Sequence, residues 1–249
     1  MKFVELGSLL LLSCLTAVSC GGFRDSRDSF PETVFFANSV WPSARLRVCW
    51  EFKNSQTEEF TSQFKTVVER AFQGTKLSFS GWAVCPRHTR NTDLRIFIYD
   101  DPLADTQVGF ADVRSLLGQA ADRGHPRVPV PGRKMRGKRA NVIFNLSGLH
   151  SDPFLGQMYD SLSPIGRRNL ALSSSLHEFG HAIGLRHENV HPDNTCVGFD
   201  ENLEWGDNIV TPYNPGSFMQ RCFYRNFDYE TGIVWPNEGD LEGINRIYR

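Results

Sequence analysis

The chain has 249 residues, with 27 Lys and Arg against 28 Asp and Glu and a formal net charge of −1. That balance excludes bulk electrostatic attraction to nucleic acid as the basis of its action. A hydrophobic share of 40 % with 19 Phe suits a globular core, and the length fits one domain of ordinary size plus a leader.

Residues 1–20 read as an export leader: Lys2 supplies a positive start, Leu9 to Leu12 and Leu15 to Val18 an apolar region, and small residues lead into Cys20. The run Ala17-Val18-Ser19-Cys20 resembles a bacterial lipobox, in which Cys20 becomes the lipidated first residue. A lipid there would tether the protein without a spanning helix; ordinary cleavage near Cys20 is the alternative. No later apolar stretch is long enough to span a bilayer. The expected location is secreted, or lipid-anchored on the extracytoplasmic side.

Residues 21–40 are polar and turn-rich and read as a linker. Residues 46–52 alternate as a strand. Over 55–73, Phe60, Phe64, Val67, Val68 and Phe72 recur at helical spacing, and Gly74 closes that amphipathic helix. Residues 77–84 and 94–99 read as strands, so a strand–helix–strand–strand order predicts a mixed sheet. The stretch 101–139 is irregular, with one short strand at 107–113. Its basic run 133–139 reads as a solvated loop, with acidic-substrate preference or a processing site as the functional alternatives. Asp100, Asp101 and Asp105 cluster nearby, and no calcium site is assigned to them. Residues 140–146 form a strand; the glycosylation triplet Asn145-Leu146-Ser147 lies within it, which argues against its use. A helix then runs from near 165–168 to Gly184, with Leu170, Leu172, Leu176 and Ile183 toward the core. Little regular structure is expected beyond it until 237–249.

That long helix carries His177-Glu178-Phe179-Gly180-His181, followed by Gly184 and His187. His177 and His181 are four residues apart and share one helix face. Gly184 can take positive φ, end the helix and turn the chain back so that His187 reaches the same point. Three neutral imidazoles ligate Zn²⁺ and leave a fourth position for water, the pattern of a catalytic rather than a structural zinc site. Glu178 adjoins that water as a general base.

The pattern resembles the metzincin clan of zinc peptidases. That clan carries a methionine turn downstream, and Met219, in 211–219, is similar to it. Glu188 and the following His191-Pro192-Asp193 resemble astacins, whereas His-Glu-Phe-Gly-His-Ala and the run 240–248 resemble matrixins. The resemblance implies an α+β fold: a metzincin-like catalytic domain over 41–249, with a mixed, mostly parallel twisted sheet and the active-site helix in an upper part (41–184). A small irregular lower part (185–249) ends in a helix. It also implies that strand 140–146 is the sheet edge lining the cleft, where an extended peptide substrate adds. The astacin Tyr two residues after the Met is replaced by Arg221, so Tyr213, Tyr224 and Arg221 are the candidates for oxyanion support. No latency cysteine motif of the matrixin kind is found.

Four cysteines remain after the leader, and four allow three pairings. Two precede the zinc helix and two follow it, which predicts Cys49–Cys85 and Cys196–Cys222, as an oxidising compartment permits. The expectation is an exported, monomeric zinc endopeptidase with one Zn²⁺. Its rivals are a catalytically silent peptide-binding module on the same scaffold and a zinc hydrolase of a non-protein amide.

Overall fold

The structure, a computed structural model, describes residues 34–36, 40–41, 43–51, 57–85, 93–100, 109–111, 142–151, 155–198 and 207–248. Cys20, the basic run 133–139, Asp101 and Asp105 lie outside them. Five strands form one mixed sheet. β2 (Arg45–Trp50), β3 (Ser78–Val84), β4 (Asp93–Tyr99) and β6 (Val142–Asn145) run parallel, in the order β3-β2-β4-β6, and β5 (Gly109–Ala111) closes antiparallel on β6. The strand expected at the edge is therefore interior, flanked by β4 and β5, and the three-residue β5 forms the rim instead. The strand expected at 107–113 is present as β5, cut to three residues; what the sequence did not show is its pairing with residues about thirty positions further along the chain. Asn145 is buried in β6, so the glycosylation triplet has no exposed acceptor.

A separate ribbon pairs β1 (Val34–Phe36) antiparallel with β7 (Asp207–Ile209). The segment read as a linker thus contributes a strand, through a long-range pairing invisible to local periodicity.

Helix α1 (Glu58–Ala71) buries Phe64, Val67, Val68 and Ala71 on one face. Its acidic first turn, Glu58 and Glu59, and Arg70 in the last turn complement the helix dipole. Two short helices, α2 (Gly148–Ser151) and α3 (Gly156–Ser161), lead into the long helix α4 (Pro164–Ala182). Ser163 caps α4 by accepting from the Gly166 amide at 3.2 Å, with Pro164 next in line. Glu230 accepts from the Ser163 amide and hydroxyl, which holds its carboxyl below the usual range.

An aromatic cluster fixes the rotation of α4. The Phe179 ring meets Phe79 at 5.2 Å, Phe72 at 5.9 Å and Phe64 at 6.1 Å, and Phe72 meets Phe218 at 6.2 Å. These pairs join α1, β3, α4 and the segment after it into one core. At the other end of α4, the Trp41 indole donates to the Ala182 carbonyl at 2.9 Å, and the Tyr248 hydroxyl donates to that of Ile183 at 2.6 Å. Both carbonyls are among those a helix end leaves without intrahelical donors.

The region after α4 holds more regular structure than its sequence advertises: β7, a 3₁₀ turn at Glu188–Val190, helix α5 (Arg221–Asn226) and helix α6 (Glu238–Ile247). The chain is stapled by Cys49–Cys85, Cα–Cα 4.9 Å, and Cys196–Cys222, 5.8 Å. Asn237 and Asp240 form a reciprocal capping box at the start of α6. Asp240 does more. Buried completely, it accepts from the Ser217 hydroxyl at 2.6 Å, the Asn237 amide at 3.0 Å, the Phe218 amide at 3.2 Å and the Asn214 side chain at 3.4 Å. Burial raises its carboxyl to about 6 even though the Ser217, Asn237, Phe218 and Asn214 donors all favour the carboxylate. Replacing Asp240 with Ala strands several buried donors. The expected loss is on the order of 3 kcal/mol in urea unfolding; a variant as stable as wild type would remove Asp240 from this role.

Candidate metal centre

The local sequence explains how three distant imidazoles converge. α4 presents His177 and His181 on one face. It ends in a Schellman reversal: the Leu185 amide donates to the Gly180 carbonyl at 3.0 Å and the Gly184 amide to that of His181 at 2.9 Å. Gly184 sits at φ 98°, a conformation that other residues adopt only with strain. The chain then doubles back and delivers His187.

His177, His181 and His187 offer ring nitrogens that all lie within 4.8 Å of one another. The Nε2 atom of His187 is 3.1 Å from the Nε2 atoms of both His181 and His177. Their other nitrogens are committed. Nδ1 of His177 lies 3.0 Å from the Phe218 carbonyl and Nδ1 of His181 lies 2.8 Å from the Leu185 carbonyl. A carbonyl only accepts, so each Nδ1 carries the proton and each Nε2 turns a lone pair inward. Two such lone pairs converging on a third imidazole repel one another unless a cation stands among them. Tetrahedral Zn–N bonds of about 2.0–2.1 Å place ligand nitrogens about 3.3 Å apart, close to the spacing seen. The donor set therefore fits a zinc ion, and among the described residues it is the one His/Cys/Asp/Glu cluster that could hold a metal.

Electrostatics favour the neutral, ligating form. Burial holds the His181 imidazole well below its ordinary range, with the His187 and His177 rings adding to it. Burial does the same to His187, followed by His177 and the charges of Arg221 and Arg186.

The turn at 211–219 packs directly against this helix. A Cβ on Gly180 would fall 2.5 Å from Met219 Sδ and 3.0 Å from two ring atoms of Phe218. Met219 is thus seated on the α4 backbone between the two helix-borne histidines. The 3₁₀ turn after His187 is stitched to the same segment: Glu188 donates its amide to the Met219 carbonyl at 3.1 Å, and its carboxylate accepts from the Asn214 amide at 2.7 Å. Asn189 accepts from the Arg221 amide at 3.1 Å.

Glu178 follows the first histidine and is partly exposed, unlike the buried residues on either side of it. Tyr224 is buried, with its ring edge-on to His177 at 5.3 Å and its hydroxyl donating to the Ser173 carbonyl at 2.8 Å. Burial, and then the nearby Tyr229, Glu178 and Asp240, push its phenol well above 10. The Tyr213 hydroxyl donates to Asn194 at 3.2 Å and accepts from Gln220 at 2.9 Å, beside the Cys196–Cys222 bridge. Sequence reasoning missed Phe218 and Leu185, which orient the histidines through their carbonyls, and Asp240 behind the turn. A main-chain role leaves no residue-type signal; Asp240 in the capping pattern Asn-x-x-Asp was the one visible hint.

No protein-family model and no curated protein matches the chain. Among solved structures, one of myroilysin is 14 % identical, with a TM-score of 0.49, covering 86 % of this chain and 98 % of that one. A crystal structure of myroilysin gives 14 % identity and a TM-score of 0.42, covering 84 % and 86 %. Likenesses this slight carry no argument about activity, which rests here on the site itself.

Two outcomes are expected. Gly180→Ala forces Met219 and Phe218 away from α4; a loss of about 1–3 kcal/mol in stability and weaker zinc retention against a chelator should follow. Zinc retention equal to wild type would show the contact to be dispensable. In the metal-free protein, His181 and His187 bind fewer protons folded than unfolded below about pH 6.5. Their contribution is complete above that pH and is lost as pH falls below it, so the urea midpoint of the metal-free form should drop between about pH 7 and pH 5. A midpoint insensitive to pH there, with both histidines in place, would contradict the buried neutral state.

Proposed function

We propose that the chain is an exported, monomeric zinc-dependent endopeptidase. One observation carries the reading: three imidazole nitrogens converge, two of them on buried histidines whose Nδ1 atoms face backbone carbonyls. Zinc, when bound, supplies Lewis acidity, which lowers the pKa of a ligated water to about 7 and polarises a carbonyl. His177, His181 and His187 hold the ion as neutral ligands. Glu178 acts as the general base: its carboxylate takes a proton from the attacking water and delivers it to the leaving amine. Met219 supports the ligands from beneath α4. The substrate is an extended peptide, lying along the sheet rim. Export is supported by the leader-like residues 1–20 and by two disulfides, which belong to oxidising compartments. Among the described residues no helix is long and apolar enough to cross a membrane; attachment, if any, is through lipid on Cys20.

The test pairs metal content with hydrolysis of casein for wild type and Glu178→Gln. Both should hold one zinc per chain, and cleavage should fall about 10²–10⁴-fold in the variant. Equal cleavage would remove Glu178 from the mechanism. One zinc in both and cleavage in neither, across several unfolded proteins, would replace the endopeptidase by the silent peptide-binding module.

A further inference from the structure

A ligating imidazole is oriented and tuned by the partner of its other nitrogen. For His177 that partner is the Phe218 carbonyl, 3.0 Å from Nδ1. This carbonyl belongs to the peptide group that joins Phe218 to Met219, so its basicity depends on what the amide of the same group meets. The Met219 amide donates to Ser217 Oγ at 3.0 Å. Ser217 Oγ donates in turn to Asp240 Oδ1 at 2.6 Å.

Residue chemistry fixes the direction of each bond. An amide N–H only donates, so Ser217 Oγ accepts from Met219 and its single hydrogen goes to Asp240. A carbonyl only accepts, so the His177 proton sits on Nδ1. The other Asp240 oxygen accepts from the Phe218 amide at 3.2 Å and the Asn237 amide at 3.0 Å, which aims the carboxyl at Ser217. The bonds therefore run in one sense, from Nδ1–H through C=O, N–H and O–H to a carboxyl oxygen. Ser217, Phe218, Met219 and Asp240 are all buried, so water does not compete for them. The spacing Ser-x-Met allows the middle step, since a serine hydroxyl reaches the amide two residues on.

We propose that Ser217 and Asp240 are positioning residues for the metal ligand His177, acting through the one peptide group between Phe218 and Met219. Hydrogen bonds in such a chain polarise one another, and a low dielectric strengthens each of them. Negative charge on Asp240 draws the Ser217 hydrogen and makes Oγ a better acceptor. The Met219 amide then shifts electron density onto the Phe218 oxygen, which holds the Nδ1 proton more firmly. Nε2 becomes the stronger donor, and the ring is kept in one tautomer and one orientation. No proton is transferred along the chain.

The inference rests on the zinc reading of the three histidines. Wild type, Ser217→Ala, Asp240→Asn, their double variant and Asn237→Ala are compared as full chains with 15N-labelled histidine rings. Asn237→Ala removes a helix cap and the bonds to Asn214 but leaves the chain from His177 to Asp240 in place, so it reports destabilisation alone. Ser217→Ala and Asp240→Asn should each weaken zinc binding about 10–100-fold in competition with a chelator. In the metal-free protein both should move the His177 Hδ1 resonance upfield, as a weaker hydrogen bond does. The His181 resonance should stay, because its Nδ1 faces Leu185. Residues acting in series are not additive, so the double variant should lose no more than the larger single loss. Asn237→Ala should keep the wild-type zinc affinity and His177 resonance. Asp240→Asn preserves side-chain shape and decides the matter should Ser217→Ala not fold. An unmoved His177 resonance overturns the proposal, as does a multiplicative loss in the double variant. Equal zinc loss in Asn237→Ala would reduce both residues to a structural role. Cleavage is not among the readouts, so the endopeptidase reading can fail without touching this one. A wild type that takes up no zinc would overturn the ligand role of His177 itself.

Discussion

The Nε2 lone pairs of His177 and His181 both converge on the His187 ring, each 3.1 Å from its Nε2, and a protein that holds them there must supply the restraint. Here the restraint is directional. Nδ1 of His177 and of His181 are each turned to a backbone carbonyl, so neither ring can flip or change tautomer without losing a buried hydrogen bond. One carbonyl comes from the chain reversal after α4 and the other from the turn at 211–219. The candidate metal site is therefore built as much from main chain as from histidine.

The surrounding polar groups make sense as support for those two carbonyls. Phe218 offers its carbonyl to His177 while its amide is held by Asp240 and its ring joins the aromatic core. Glu188 ties the third-ligand turn to both ends of the same segment, at Asn214 and at Met219. Such buried networks add little net stability but specify one arrangement, since each alternative leaves a donor or acceptor stranded. Precision of this kind serves ligand placement more than it serves folding.

The sequence was most informative where one local pattern determined the outcome. Phe60 to Phe72 marks α1, the alternation at 46–50 marks β2, and the His-Glu-x-x-His spacing with Gly184 marks the ligands and the reversal between them. It was least informative where pairing is long-range or the element short. β1 looked like linker because its partner lies far along the chain, and the strand expected at 107–113 gave no sign that it would pair on β6 and take the rim. α5 is only six residues long, yet it sets Tyr224 edge-on to His177.

The clasp on the end of α4 has a temporal consequence. Trp41 lies 141 residues before its carbonyl partner and Tyr248 lies 65 residues after its own. Contacts spanning such distances form late, once the entropy of closing long loops has been offset. An early folding species could hold α4, and even the His177–His181 pair, without a fixed helix end from which the chain turns toward His187. A two-histidine species binds zinc far less firmly than a complete site. Were an ion taken up, its tight capture would report that distant parts of the chain have already come together, and loading would be a late proof of assembly.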